Sequence, residues 1–483
     1  MTNARAPLAA VAVVGAGPIA YVAALVTAKA VPTARITIVR PPADPAALAD
    51  RFPTTLPGSS GWLADAGLDE AHLVADGVAT HRVGIRFAEW GEDARDWTFA
   101  HGSDVALPLP GALPLLWLAH GRDVALRYED VRPAAALAAA DRFAAPLADR
   151  RSLLDCVDAG LRLDAARLLP LLDRRARAAG IAVRESDVVA TQRSGDGGLA
   201  SITLANGTTI AADLFVDATG PRALLAATKG ETAADWCGCD RLLIAERPGD
   251  PAPADAIRAV GIGWRGDRPL ADRITIRLAY AADTADEAQA RRLLDAGDAE
   301  AVALPPPRHR PPFAAKVLAL GEAGTAIDPL GDFGFALAER QLALFAELLP
   351  SRDRDPLLAA EYNRRAGLAA DRIGTVVASL HAVRPRRRGP FWRARTGAVP
   401  AALDAFAERG VLPQHDDQSV TDADWRAALL GLGIVPRQHD AVARSADPAR
   451  VRALIADLAA AVAALPATLP PYPALLADPR TRV

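Results

Sequence analysis

Residues Gly15-Ala16-Gly17-Pro18-Ile19-Ala20 have the spacing GxGxxA and stand between an apolar run, Ala10–Val14, and a helical pattern running from Ile19 to Lys29. Glycines at those positions let the backbone turn tightly and approach a pyrophosphate, which then lies on a helix N-terminus where free N–H groups and the dipole favour negative charge. Alone, the pattern also fits any tight turn from strand to helix; its place in a strand–helix–strand unit is what points to a nucleotide. The second strand, Ile36–Val39, ends at Arg40, where such units usually carry an acid for the adenosine ribose. An arginine there can meet a 2′-phosphate, so NADP is the secondary reading. Two later segments point instead to a flavin. One is Asp213-Leu214-Phe215-Val216-Asp217-Ala218-Thr219-Gly220, a strand entering a small-residue turn; the other runs from Gly321-Glu322-Ala323-Gly324 through Asp328-Pro329-Leu330 to Gly334 and Phe335. Both place backbone close to a large cofactor. The candidate cofactor contacts are therefore Gly15, Ala16, Gly17, Pro18, Ile19, Ala20, Arg40, Gly220, Glu322, Asp328, Gly334 and Phe335.

These residues need a sheet to hold them. Ala10–Val14 and Asp213–Asp217 are short apolar runs of the kind buried in parallel sheets, as is Lys316–Leu320. A helix is expected over Asp164–Ala179, with Asp164 as N-cap and Gly180 as its stop. Strands at Ile181–Ser186, Ala200–Ala205 and Thr208–Ala211 follow, the last two joined by the hairpin turn Asn206-Gly207. Alternation over Ala256–Ala281 suits a second, more antiparallel sheet. A long helix is expected at Phe335–Leu349, and helices with Pro-rich breaks beyond Pro350. The stretch from Pro42 to Leu147 is rich in Pro, Gly and Trp, with strand-like pieces at His81–Trp90 and Trp97–Phe99, and has no clear period.

Half the chain is hydrophobic, 51% over 483 residues, which is enough for a sizeable core in two or three packed units. A net charge of −3 supplies no general field for nucleic acid or an acidic membrane, and both are discounted as partners. The basic run Arg384-Pro385-Arg386-Arg387-Arg388 reads as a solvated loop. Cys156, Cys237 and Cys239 are too few for a disulfide framework and argue for a reducing, cytoplasmic setting. Cys237-Gly-Cys239 lacks the second pair that a zinc site needs, and no metal site is expected. Val11–Val26 is interrupted by the glycine turn and reads as fold rather than signal peptide.

In their order and spacing these segments resemble the flavin-dependent tryptophan halogenases. The opening turn is similar to the family's GxGxxG, Asp213–Leu225 to its DLFIDCSGxRGLL segment, and Leu318–Leu337 to the turn carrying its PLESTG motif. Pro390-Phe391-Trp392 and the Pro-rich stretch Leu465–Tyr472 also look like family features. The resemblance implies an FAD-binding domain, a substrate-covering part and reduced flavin from a separate reductase. It also implies production of hypohalous acid, used beside a lysine and a glutamate on an aromatic substrate, with a WxWxIP segment separating flavin from substrate. The chain departs at each of these points. Arg86, in Gly84-Ile85-Arg86-Phe87-Ala88-Glu89-Trp90, stands at the lysine position; Gly331, followed by Asp332 and Phe333, stands at the glutamate position. The tryptophan segment has become Gly261 to Pro269, keeping Trp264.

Arg86 can hold an anionic substrate or a peroxide oxygen, and equally suits a surface ion pair. Asp332 can replace the missing general base, against the common role of a loop Asp in capping local backbone. Trp264 reads as pocket wall. Nothing in spacing marks His81 or His101 as ligand or base.

The expected fold class is α/β: an FAD/NAD(P)-binding Rossmann-like domain with a second mixed or antiparallel sheet and a helical C-terminal region. Residues 1–45, 150–245 and 310–350 are assigned to the discontinuous FAD-binding domain. Residues 46–149 and 246–309 form the substrate-covering part, and 351–483 the helical region. The expected function is FAD-dependent, monooxygenase-type oxidation of an aromatic small molecule rather than ordinary tryptophan halogenation. The alternative is a catalytically silent homologue serving as a binding or partner subunit. A homodimer is left open.

Overall fold

A computed structural model describes residues 6–58, 61–90, 96–146, 151–226, 230–232, 238–352, 355–382, 389–395, 400, 403–412, 417, 419–439 and 441–477. The run Arg384–Arg388 and Cys237 lie outside the described residues; Cys156 is a free thiol. The chain folds as two compact units, each assembled from three stretches: Met1–Val78, Arg162–Cys237 and Ala303–Gly374, then Ala79–Leu161, Gly238–Val302 and Thr375–Val483. Compactness thus groups 46–78 and 351–374 with the nucleotide-binding stretches, whereas composition alone sets them apart.

The first unit is built on strand β1 (Ala10–Val14), helix α1 (Pro18–Ala30) and strand β2 (Arg35–Arg40). β1 lies between β2 and Leu214–Asp217, parallel to both; Ala182–Glu185 extends the sheet beyond β2 and Val317–Ala319 beyond Leu214–Asp217, again in parallel. A short antiparallel strand, Phe313–Ala314, closes the edge. The expectation of a Rossmann-like sheet therefore holds, and its cause is visible in β1, where Val11 to Val14 are buried on both faces. Pro18 starts α1 because the first helical N–H has no partner to lose. Asp164 caps the helix Ala165–Ala178, accepting from the N–H groups of Ala166 and Arg167. Asn206-Gly207 joins its two strands, and Val188–Arg193 adds a third to that small sheet.

The second unit carries strands β3 (Ala79–Arg82), β4 (Gly84–Ala88) and β5 (Trp97–Ala100). β4 pairs antiparallel with β5 and parallel with Ala254–Val260, which continues antiparallel through Gly263–Pro269, Arg273–Tyr280 and Arg241–Pro248. This is the expected second mixed sheet. A core of Val83, Ala100, Ala134, Leu137, Leu154 and Tyr472 packs beside β4 and β5. Arg82 and Asp255, both almost fully buried, form an ion pair at 2.7 Å. Helices dominate after Pro350, as expected. Among the described residues one helical stretch, Pro448–Thr468, is long and apolar enough to cross a membrane by length and composition, largely through its alanines. Its face Val451, Ile455, Leu458 and Val462 is buried in the unit.

Candidate functional site

The glycine turn between β1 and α1 is as tight as its sequence requires. The N–H of Gly15 donates to the carbonyl of Val39 at 3.0 Å. A Cβ on Gly15 would come within 2.5 Å of the Ala218 carbonyl oxygen and 2.8 Å of the Ala20 Cβ, which also accounts for a small residue at Ala20. Gly17 caps α1 with no side chain of its own. The cap is supplied from a distance: the N–H of Ile19 donates to Oδ1 of Asp50 at 2.9 Å. Asp50 belongs to α2 (Leu48–Arg51), a single turn.

Glu322 faces the other end of α2, where its carboxylate accepts from the N–H groups of Leu48 and Ala49 at 3.2 and 3.1 Å. Both acids are half-buried residues whose carboxyl groups are enclosed by protein. That enclosure pushes the Asp50 carboxyl up to about 7 against the pull of the Ile19 N–H. Desolvation first, and then the backbone donors that oppose it and the charge of Asp50 that adds to it, leave Glu322 pushed up to about 8. The folded state therefore binds more protons than the unfolded chain, where such groups titrate near about 4. Their stabilising contribution is fully present below about pH 4 and is lost as pH rises through about 7 to 8. Thermal unfolding of flavin-stripped protein is expected to occur at lower temperature at about pH 8.5 than at about pH 6. Combining Asp50→Asn with Glu322→Gln should flatten that difference; an unchanged difference in the double variant would contradict the assignment.

A cavity of about 260 Å³ opens at the turn, lined by Ala16, Gly17, Pro18, Asp50, Thr219 and Arg222 among others. Pockets for whole ligands span roughly 300–1,000 Å³, so this one has room for one end of a dinucleotide and not for all of it. Gly220 has φ +65° and its Cβ position lies 2.6 Å from the Ala47 Cβ, so only glycine fits there. The loop beyond β1's neighbour is fixed by Asp217, whose carboxylate accepts from Thr219 and from the Leu225 N–H. Arg40 is engaged at the end of β2 by Glu185 at 2.8 Å and by the Tyr21 hydroxyl at 3.4 Å.

Other expected contacts are engaged within their own surroundings. Asp328 folds into its own loop, accepting from the Leu330 N–H at 2.9 Å. The Phe335 ring packs edge-on against Trp62 at 5.7 Å. Gly334 begins the helix Gly334–Glu347 and approaches Ala49, 3.0 Å from its own Cβ position to the alanine Cβ. Gly331 has φ +85°, and a Cβ there would lie 2.4 Å from the Phe333 ring. Asp332 follows in the left-handed region at φ +56° and is largely buried. Asp tolerates that conformation better than most residues.

In the second unit, Arg86 on β4 pairs with Asp141 at 3.2 Å and keeps a third of its side chain exposed. It lines a cavity of about 920 Å³ together with Phe87, Trp97, Glu129, Ala256 and Ala460. Trp264 is fully buried in the same sheet, on the strand Gly263–Pro269, with the Arg277 guanidinium 5.8 Å above its ring, so it is core and does not line that cavity. His81 is bonded to the Tyr472 hydroxyl, and His101 is buried 3.5 Å from Asp424. Among the described residues no group of three or more His, Cys, Asp or Glu is placed to hold a metal ion. Asp50 is the site residue that sequence reading misses; a single helical turn has no period, and its partner Ile19 lies 31 residues away.

A parallel sheet with a glycine turn facing a helix N-terminus defines a dinucleotide-binding fold. The family model for tryptophan halogenase matches residues 10–448, and the chain belongs to that family. It is 24% identical over 294 residues to tryptophan 7-halogenase RebH of Lentzea aerocolonigenes, covering 53% of this chain and 56% of that protein. It is 25% identical over 265 residues to tryptophan 6-halogenase SttH of Streptomyces toxytricini, covering 50% and 51%. The matched segments thus span about half the length of these curated relatives. Among solved structures, Xcc4156, a flavin-dependent halogenase from Xanthomonas campestris, superposes with TM-score 0.86 at 27% identity over 98% of both chains. BrvH, a flavin-dependent halogenase from Brevundimonas sp. BAL3, gives TM-score 0.87 at 24% identity, over 97% of this chain and 99% of that one, a likeness of fold. The family's cofactor is FAD, and the turn at Gly15–Ile19, with its close glycines and helix N-terminus, fits a pyrophosphate.

Proposed function

We propose that this chain is an FAD-dependent, monooxygenase-type oxidoreductase acting on an aromatic small molecule, with reduced flavin supplied by a separate reductase, and that it is not an ordinary tryptophan halogenase. The observation that carries the reading is Gly331: the backbone is left-handed and the Phe333 ring fills the space of a side chain, in the turn where the family resemblance puts a glutamate. Bound flavin supplies electron transfer and oxygen activation. Around it, the N–H groups at the start of α1 hold the pyrophosphate, and Gly15, Gly17 and Gly220 keep backbone close. Asp332, next to the missing carboxylate, serves as general base. The Arg86 cavity, with its Phe and Trp walls and Glu129, takes a planar substrate. In this reading the protein is cytoplasmic, acts alone or as a homodimer, and engages neither nucleic acid nor membrane.

The test is direct. Protein incubated with FAD and desalted should be yellow, and its reduced flavin should reoxidise faster when an indole or phenol substrate is added. Colourless protein that takes up no FAD would sink the proposal. Yellow protein indifferent to every aromatic compound tried would favour the silent partner subunit, which the pairing of Arg86 with Asp141 also suits.

A further inference from the structure

We propose that Asp50 competes with the cofactor phosphate for the N-terminus of α1, so that FAD binds only as Asp50 withdraws, and this one side chain sets cofactor affinity. The inference rests on the FAD reading above and adds a determinant to the same site.

The geometry is specific. The second glycine of a nucleotide turn exists to leave room for a phosphate beside the backbone. Here that room holds the Asp50 carboxyl: a Cβ built on Gly17 would lie 2.1 Å from the Asp50 Cγ and 2.4 Å from its Oδ1. The same carboxyl takes the Ile19 N–H, a donor that α1 leaves free for an anion. Asp50 also lines the cavity in which the turn residues Ala16, Gly17 and Pro18 are exposed to a ligand. A phosphate oxygen and the Asp50 carboxyl cannot both occupy this place, and above about pH 7, where that carboxyl is ionised, the two anions would also repel.

The surroundings let Asp50 leave. It is half-buried with one backbone donor, and enclosure by protein already disfavours its charged form. Among the described residues it makes no ion pair. Asp44 lines the same cavity and is paired there with Arg222 at 3.5 Å. The cations Arg51 and Arg222 also line the cavity, but Arg51 donates to the Pro45 carbonyl and Arg222 to the Pro42 carbonyl. α2 itself is one turn of four residues, held by Glu322 at Leu48 and Ala49.

Two readouts of opposite sign separate competition from a merely structural role. Asp50→Ala removes a helix cap, so flavin-stripped protein should melt at lower temperature. Its FAD affinity, titrated by flavin fluorescence quenching, should rise by about 3-fold to 30-fold, the factor that a lost cap of ordinary strength converts to. Asp50→Asn keeps an acceptor for Ile19 without the charge, should fold like the parent, and at about pH 8, where the parent carboxyl is ionised, should also bind FAD more tightly. Wild-type protein that binds FAD while both variants bind it equally or more weakly overturns the proposal. If Asp50→Ala does not fold, Asp50→Asn decides by the same comparison. If neither the parent nor the variants take up FAD, the cofactor reading itself fails and the proposal falls with it.

Discussion

Gly15→Val should yield protein that retains no FAD after desalting, whereas Gly195→Ala, made beside it, should retain the wild-type amount. The contrast lies in what a new side chain meets. At Gly15 it meets fixed groups: the Ala218 carbonyl oxygen at 2.5 Å and the Ala20 Cβ at 2.8 Å. Ala218 cannot yield easily, because its own N–H is tied to the Val14 carbonyl at 2.8 Å, so relief would part β1 from the strand Leu214–Asp217. At Gly195 a Cβ meets nothing within 4 Å. The valine would also push into the space the pyrophosphate needs. Circular dichroism of both variants separates loss of the turn from loss of the whole unit. Full flavin content in a folded Gly15→Val protein would remove the nucleotide assignment.

The nucleotide half of this site is legible in the sequence because its signals are local. β1, the glycine turn and α1 follow one another without interruption, and each has a distinct residue pattern. The hairpin at Asn206-Gly207 and the cap at Asp164 are legible for the same reason. Val188–Arg193 is not: its residues are mostly exposed, so no apolar alternation marks the strand. Arg241–Pro248 escapes sequence reading too, with its first half largely buried and its second half exposed.

Individual side chains are harder, because their partners are distant in sequence. Glu322 reads as a cofactor contact from its place in a glycine-bearing turn, yet its carboxylate caps α2, more than two hundred residues earlier. Trp264 reads as pocket wall from its bulk, but burial in the sheet under Arg277 makes it core. Asp50 carries no signal at all, and its significance comes only from where Gly17 and Ile19 lie. A glycine motif states that space is needed; it does not state what else can fill it.

Given FAD, a reductase, oxygen and chloride or bromide, the protein should halogenate free tryptophan about 100-fold to 10,000-fold more slowly than an intact family member assayed beside it, the usual range for loss of one well-placed acid–base group. The resemblance puts a lysine at Arg86, and an amine there can hydrogen-bond hypohalous acid as a compact, adjustable donor. A guanidinium has delocalised charge and donors in a rigid planar fork, and this one is already paired with Asp141 at 3.2 Å. The glutamate position is more severe. Gly331 has φ +85°, which side chains rarely adopt, and a Cβ would lie 2.4 Å from the Phe333 ring. Gly331→Glu is therefore expected to strain the turn rather than restore a carboxylate, so combining it with Arg86→Lys should give no rescue. Relieving the clash by adding Phe333→Thr to that double variant should recover stability before it recovers any halogenation, because the backbone strain at residue 331 persists. Product formation is read by mass spectrometry of the tryptophan pool, and folding of each variant by thermal melt. Halogenation by the unmodified protein at the rate of the intact relative, or full rescue by Arg86→Lys with Gly331→Glu alone, would show that neither the guanidinium nor the crowded turn limits the chemistry.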